Sequence, residues 1–149
     1  MEIDVVQLSL VRKYTTHSDN DFIYTSDIAS KIFINELSKR NIECLGLLCL
    51  DTAYRPINYS TVSVGDIDTV NANTAELFKV ALLCNASKIF IAHNHPSGIL
   101  IPTSDDIIMT KNIGSISKIF HIELLDSIIV GNKNTFVSIK RMNEKSELE

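Results

Sequence analysis

The sequence predicts an α/β domain in which helices flank a mixed sheet. Apolar stretches of strand length alternate with stretches of helical periodicity, and both a short hairpin and longer crossovers connect them. The chain is also about one domain long: at 149 residues a domain buries roughly 68–70% of its unfolded surface. Hydrophobic residues make up 45% and charged residues 21%, as in an ordinary globular protein. Such a chain needs neither metal nor disulfides to hold a core, so a metal site in it points to function.

Each element follows from its own signals. Val5 to Val11 is apolar-rich and reads as a strand, and Lys13 to Asp21 is polar. Thr25-Ser26-Asp27 is a helix-start signature, with Ile28, Ile32 and Ile34-Leu37 recurring at helical spacing through about Lys39. Glu43 to Leu50 is an apolar run of strand length whose first member is a carboxylate. A turn around Asp51-Pro56 leads to Ile57 to Val64, where Ile57, Tyr59, Thr61 and Ser63 alternate with their neighbours as in a hairpin partner. Asn73-Thr74 opens a second helix carrying Leu77, Phe78, Ala81, Leu82 and Cys84, and Lys88 to Ala92 is a short buried strand ending at His93. After a loop with Pro96, Gly98 and Pro102, a third helix runs from near Thr103 to about Ser117. Ile122 to Val130 and Thr135 to Ile139 close the domain as strands, with Gly131-Asn132-Lys133-Asn134 turning between them. Residues 1–149 read as a single domain, ending from about 141 in a charge-rich, solvated and disordered tail.

Charge and cysteines narrow the function classes. The net charge of −4 and a pI of about 5.5 lack the basic face that tight binding to a phosphate backbone requires, so direct nucleic-acid binding is not expected. The three cysteines, Cys44, Cys49 and Cys84, form no C-x-x-C pair and read as buried reduced thiols. No signal peptide opens the chain and no apolar run approaches the roughly 20 residues of a membrane span. A cytoplasmic protein without a membrane segment is the expectation.

The chemistry lies between residues 93 and 106. His93 and His95 sit one residue apart at the end of a buried strand, so in extended geometry both imidazoles project from the same side and can share one metal ion. The loop through Gly98 and Pro102 then reverses the chain, and Asp106 falls in the first turn of the next helix, able to point back at the histidines. Two histidines, one carboxylate and an open fourth position describe a catalytic zinc site that activates a water. Asp106 alone would read as a helix-start carboxylate, and the isolated His17 and His121 read as hydrogen-bonded core residues. His93-Asn94-His95 only spells the letters of the HNH nucleases, whose three residues are not adjacent. The His-x-Glu and Pro-Cys-x-x-Cys of zinc nucleobase deaminases are missing.

His93-Asn94-His95-Pro96-Ser97-Gly98, followed by Pro102-Thr103-Ser104-Asp105-Asp106-Ile107, resembles the JAMM (MPN+) metalloprotease motif, specifically its RadC-type branch. That motif is H-x-H, seven residues, Ser or Thr, two residues, Asp, and here seven residues separate His95 from Thr103 and two separate Thr103 from Asp106. The resemblance continues through Ser63-Val64-Gly65, Glu76-Leu77-Phe78-Lys79, Leu124-Leu125-Asp126 and Ile128-Ile129-Val130-Gly131, nearly all of residues 25 to 140. It implies a JAB/MPN fold of cytidine-deaminase-like architecture and a zinc-dependent hydrolase of peptide or isopeptide bonds, with zinc on His93, His95 and Asp106. It also implies a general base, and Glu43 matches that position. A carboxylate leading an apolar strand is unexpected unless paired or working, although a solvated strand edge would also place it there. Thr103 matches the oxyanion donor where serine is usual, with Ser104 able to replace it if the helix begins one residue later.

Several positions depart from the branch. Ile99-Leu100-Ile101 replaces a more polar loop, suggesting an apolar subsite, a contact surface or a packed loop. Ala75 stands where arginine is usual and Ser127 where histidine is frequent. The helix-hairpin-helix module that often precedes this domain has no counterpart in the sequence, removing the family argument for direct DNA binding. The alternative function is a non-catalytic or DNA-repair-associated metal-binding scaffold. A peptide or protein substrate is the expected partner, and the Ile99–Ile101 stretch and any unpaired strand edge leave a homodimer open.

Overall fold

The computed structural model describes residues 1–65 and 70–147, with backbone only for residues 70–73. Leu148 and Glu149, the end of the expected tail, lie outside the described residues. The architecture is the mixed α/β one: a five-stranded sheet in the order β2-β1-β3-β4-β5, flanked by helices. The strands are β1 (Cys44–Leu50), β2 (Pro56–Val64), β3 (Lys88–Asn94), β4 (Glu123–Val130) and β5 (Phe136–Ser138), and the helices are α1 (Ser26–Leu37), α2 (Val70–Leu83), α3 (Ser104–Ile119) and α4 (Ile139–Glu147). β1 pairs antiparallel with β2 and with β3, β3 pairs parallel with β4 across α3, and β5 pairs antiparallel with β4.

Burial on both faces explains why the central strands read as unbroken apolar runs. Every residue of β1 is buried, as expected for a strand covered by helices on each side. One core joins Ala29, Ile32, Phe33 and Leu37 of α1 to Leu48, Phe90, Ile128 and Val130. The opposite core joins Leu77, Phe78 and Ala81 of α2 and Met109 and Ile113 of α3 to Leu45, Leu47, Ile89 and Ile91. α1 starts where Thr25 Oγ1 accepts from Ile28 N–H at 3.3 Å, as its start signature predicts.

Three segments differ from the sequence reading by more than a residue or two. Val5 to Val11 forms no strand, because strand pairing needs a neighbouring strand and, among the described residues, none pairs with positions 1–13. Beyond that arm the chain is tied to α1, where Tyr14 Oη donates to Glu36 at 2.5 Å and Asn35 Nδ2 to Thr16 Oγ1 at 3.4 Å. α2 begins at Val70, ahead of Asn73. The expected disordered tail is helical through Glu147, although its charged residues are exposed.

The reason for the last difference is a cap that periodicity does not reveal. Buried Asp126 accepts from Lys140 N–H at 3.0 Å through Oδ1, and from the Ser138 and Ser26 hydroxyls at 2.5 Å each through Oδ2. Ser138 Oγ in turn accepts from Arg141 N–H at 3.1 Å, and the Arg141 guanidinium pairs with Asp27. One carboxylate thus ties the starts of α1 and α4 to β4. Among the described residues no helix is long and apolar enough to cross a membrane.

Candidate metal centre

The site is assembled by the register of β3 and the cap of α3. Along β3, Ile89, Ile91 and His93 point to one face with a period of two, the face that α2 and α3 cover. His93 is paired with Leu45 of β1. The same antiparallel step continued two residues sets Glu43 opposite His95, just beyond the ends of both strands.

Asn94, between the two histidines, fixes that edge. Its Oδ1 accepts from Cys44 N–H at 2.7 Å, and its Nδ2 donates to the carbonyls of Ile42 at 3.0 Å and Arg40 at 3.4 Å. Glu43 is bracketed by these bonds, and its own carbonyl accepts from Gly65 N–H at 2.9 Å. The sequence reading missed Asn94. The available signal was an amide at the buried end of an apolar strand, which must find partners there.

The loop after β3 orients His95. Its backbone N–H donates to the Val130 carbonyl at 3.0 Å, and its Nδ1 lies 2.6 Å from the Ile99 carbonyl. A carbonyl only accepts, so Nδ1 carries the hydrogen and Nε2 presents a lone pair. Gly98 allows this turn with φ of 79°, and a Cβ there would sit 2.8 Å from the Asn132 side chain. Leu100 packs over Gly131, whereas Ile99 and Ile101 are exposed.

α3 supplies the carboxylate through a capping box. Thr103 Oγ1 accepts from Asp106 N–H at 3.2 Å, while Asp106 Oδ2 accepts from Thr103 N–H at 2.8 Å. Asp106 is thereby turned toward the histidines: Oδ1 lies 3.0 Å from His93 Nε2 and Oδ2 lies 3.4 Å from His95 Nε2. Burial pushes its carboxyl up, but hydrogen bonds from His93 and the Thr103 backbone outweigh that and hold it well below the usual carboxylate range.

The two Nε2 atoms are 3.1 Å apart, and Glu43 Oε1 lies 3.9 Å from each. Among the described residues Nδ1 of His93 is buried without a hydrogen-bond partner, so the ring's polar neighbours there lie at Nε2. Glu43, His93, His95 and Asp106 form a group able to hold a metal ion, with one donor atom from each lying within 4.8 Å of the others. His93 and Asp106 are buried, and Glu43 keeps 36% of its side-chain surface. A buried convergence of lone pairs at these distances calls for a proton or cation between them.

The other singled-out residues lie elsewhere. His17 is a surface residue beside Asp19 at 3.3 Å and His121 is exposed in a left-handed turn, so neither is the core histidine expected. Cys44, Cys49 and Cys84 are free thiols, the first two buried. Ser104 is the first residue of α3 and Thr103 its N-cap, so the helix does not begin one residue later. Ser127 is buried, and among the described residues its hydroxyl has no hydrogen-bond partner.

Residues 23–145 match the family model described as the RadC-like JAB domain. A UPF0758 protein of Finegoldia magna is 35% identical over 136 residues, covering 91% of this chain and 59% of that relative. A UPF0758 protein of Clostridium beijerinckii is 38% identical over 124 residues, 82% of this chain and 53% of the relative. One of Histophilus somni is 36% identical over 114 residues, 76% of this chain and 51% of the relative. The chain thus spans about half the length of the curated relatives it matches.

Proposed function

The chain belongs to the RadC-like JAB domain family, and from that premise we propose that it is a zinc-dependent hydrolase that cleaves peptide or isopeptide bonds with a metal-activated water. The observation that carries this reading is the convergence of two imidazole nitrogens and one carboxylate beside a second carboxylate.

The spacing supports zinc. Zn–N and Zn–O bonds of about 2.0–2.2 Å require neighbouring ligand atoms of a tetrahedron to lie about 3.3–3.6 Å apart. The 3.1 Å between the two Nε2 atoms comes close to this, as do the 3.0 Å from His93 Nε2 to Asp106 Oδ1 and the 3.4 Å from His95 Nε2 to the other carboxylate oxygen, Oδ2. Glu43, at 3.9 Å from both nitrogens, is farther off and suits a carboxylate that holds a proton on water. These distances support His93, His95 and Asp106 as the three ligands. The Ile99 carbonyl orients His95, and the α3 cap orients Asp106, the kind of outer support that sustains metal affinity.

A zinc ion held there would supply Lewis acidity, bringing the pKa of a water down to about 7 and polarising a carbonyl. Glu43 takes the proton from the attacking water as its oxygen adds to the carbonyl carbon. As the C–N bond breaks, Glu43 returns that proton to the leaving nitrogen. Thr103 Oγ1 accepts from Asp106 N–H, so its own hydrogen is free to donate to the developing oxyanion. Ser104 is the second choice for this role because it lies within the helix.

Glu43→Gln tests the assignment. The variant keeps one metal per chain by elemental analysis, while turnover on a panel of peptide and isopeptide substrates falls by about 10²–10⁴-fold. Turnover equal to the unaltered chain would refute Glu43 as the base. A metal-loaded chain that cleaves nothing on a broad panel would favour the scaffold reading.

A further inference from the structure

We propose that residues 4–12 of two copies of this chain pair with each other as antiparallel strands about a two-fold axis at Leu8, making a weak homodimer. Ile3, Val5, Val6, Leu8, Leu10 and Val11 are 45–100% exposed, an unusual density of aliphatics on a surface. Among the described residues, positions 1–13 make no hydrogen bond, ion pair or ring contact. Their backbone donors and acceptors are those of a strand without a neighbour. Among the described residues no strand pairs with the arm, although its β-branched and alternating sequence suits one.

The arm is complementary to itself, which identifies the occupant as a second copy. In an antiparallel pair whose facing residue numbers sum to 16, Leu8 faces Leu8, Val6 faces Leu10 and Val5 faces Val11. In the same register Gln7 faces Ser9 and Asp4 faces Arg12. Apolar meets apolar, polar meets polar, and the charges at each end are opposite, the pairing that stabilises neighbouring strands. Because every pair other than the central Leu8–Leu8 occurs twice, the interface closes as an isologous dimer. Val6, Leu8 and Leu10 of both copies form one apolar stripe, and Leu10 is the least exposed of the six arm aliphatics. Tyr14 and Thr16, held to α1 by Glu36 and Asn35, anchor the strand just past its charged end. At on the order of 100 Å² per aliphatic residue, two such arms fall in the small, weak class of interfaces below about 1,200 Å².

Sedimentation velocity on the full 149-residue chain over a concentration series tests this. The weight-average mass rises from 16.6 kDa toward twice that value as concentration increases. Leu8→Asp sets two carboxylates face to face and abolishes the rise. Asp4→Arg and Arg12→Asp each put like charges at both ends and weaken association about tenfold. An equimolar mixture of those two variants restores it, as does the double swap in one chain. The arm touches little of the domain, so melting of the variants at low concentration stays within a few degrees of the unaltered chain. A chain monomeric at hundreds of micromolar overturns the proposal, as does a dimer indifferent to Leu8→Asp. Single swaps that weaken the dimer without rescue in the mixture overturn the register.

Discussion

At the scale of single residues, Thr103 caps α3 and is the oxyanion donor of the proposed mechanism. Its oxygen caps α3 by accepting from Asp106 N–H, and in the proposed mechanism its hydrogen goes to the oxyanion. Thr103→Ser retains both, so melting temperature and turnover stay close to the unaltered chain. Thr103→Val removes both, costing about 1 kcal/mol of stability and about 10²–10³-fold in turnover. Thermal melts with steady-state kinetics check this, and a valine variant of undiminished turnover would dismiss the oxyanion role. His93, His95 and Asp106 were legible in the sequence because a period of two and a helix N-cap are local rules. Glu43 was legible only through the resemblance, since a carboxylate just ahead of an apolar strand also suits solvent. The Asn94 clamp was not legible: the atoms it holds, Arg40 and Ile42 carbonyls and Cys44 N–H, lie at the start of another strand and in the turn ahead of it.

At the scale of elements, the neighbours of a segment decide what its own pattern leaves open. The runs at 43–50 and 88–92 became central strands because their apolar residues fill cores on both faces. The run at 5–11 has an equally strand-like composition and forms no strand, for want of a partner. The charged segment after 139 shows the reverse, taking helical form where its periodicity offered little. Asp126 is the cause, accepting hydrogen bonds from Ser26, Ser127, Ser138 and Lys140. Asp126→Ala leaves buried donors unpaired in β4 and at two helix starts, costing about 3 kcal/mol. For a domain of this size that lowers the melting temperature by roughly 6–12 °C. A calorimetric melt unchanged by the substitution would show that α1 and α4 are held by other contacts.

At the scale of the whole molecule, the sheet brings one strand end, one loop and one helix start to a common point. β1 delivers Glu43, β3 and its loop deliver the histidines, and α3, crossing back to β4, delivers Asp106. This arrangement depends on the parallel β3–β4 connection, because α3 must begin at the same end of the sheet where β3 stops. The mixed architecture and the metal group are thus one design, and hydrolysis is the chemistry proposed for it. The most direct test is calorimetric titration of zinc into the chelator-stripped chain, with Asp106→Ala alongside. Binding of one ion per unaltered chain, weakened at least a hundredfold in the variant, is the result predicted. No binding to the unaltered chain, or equal binding to both, would contradict a metal centre built on His93, His95 and Asp106.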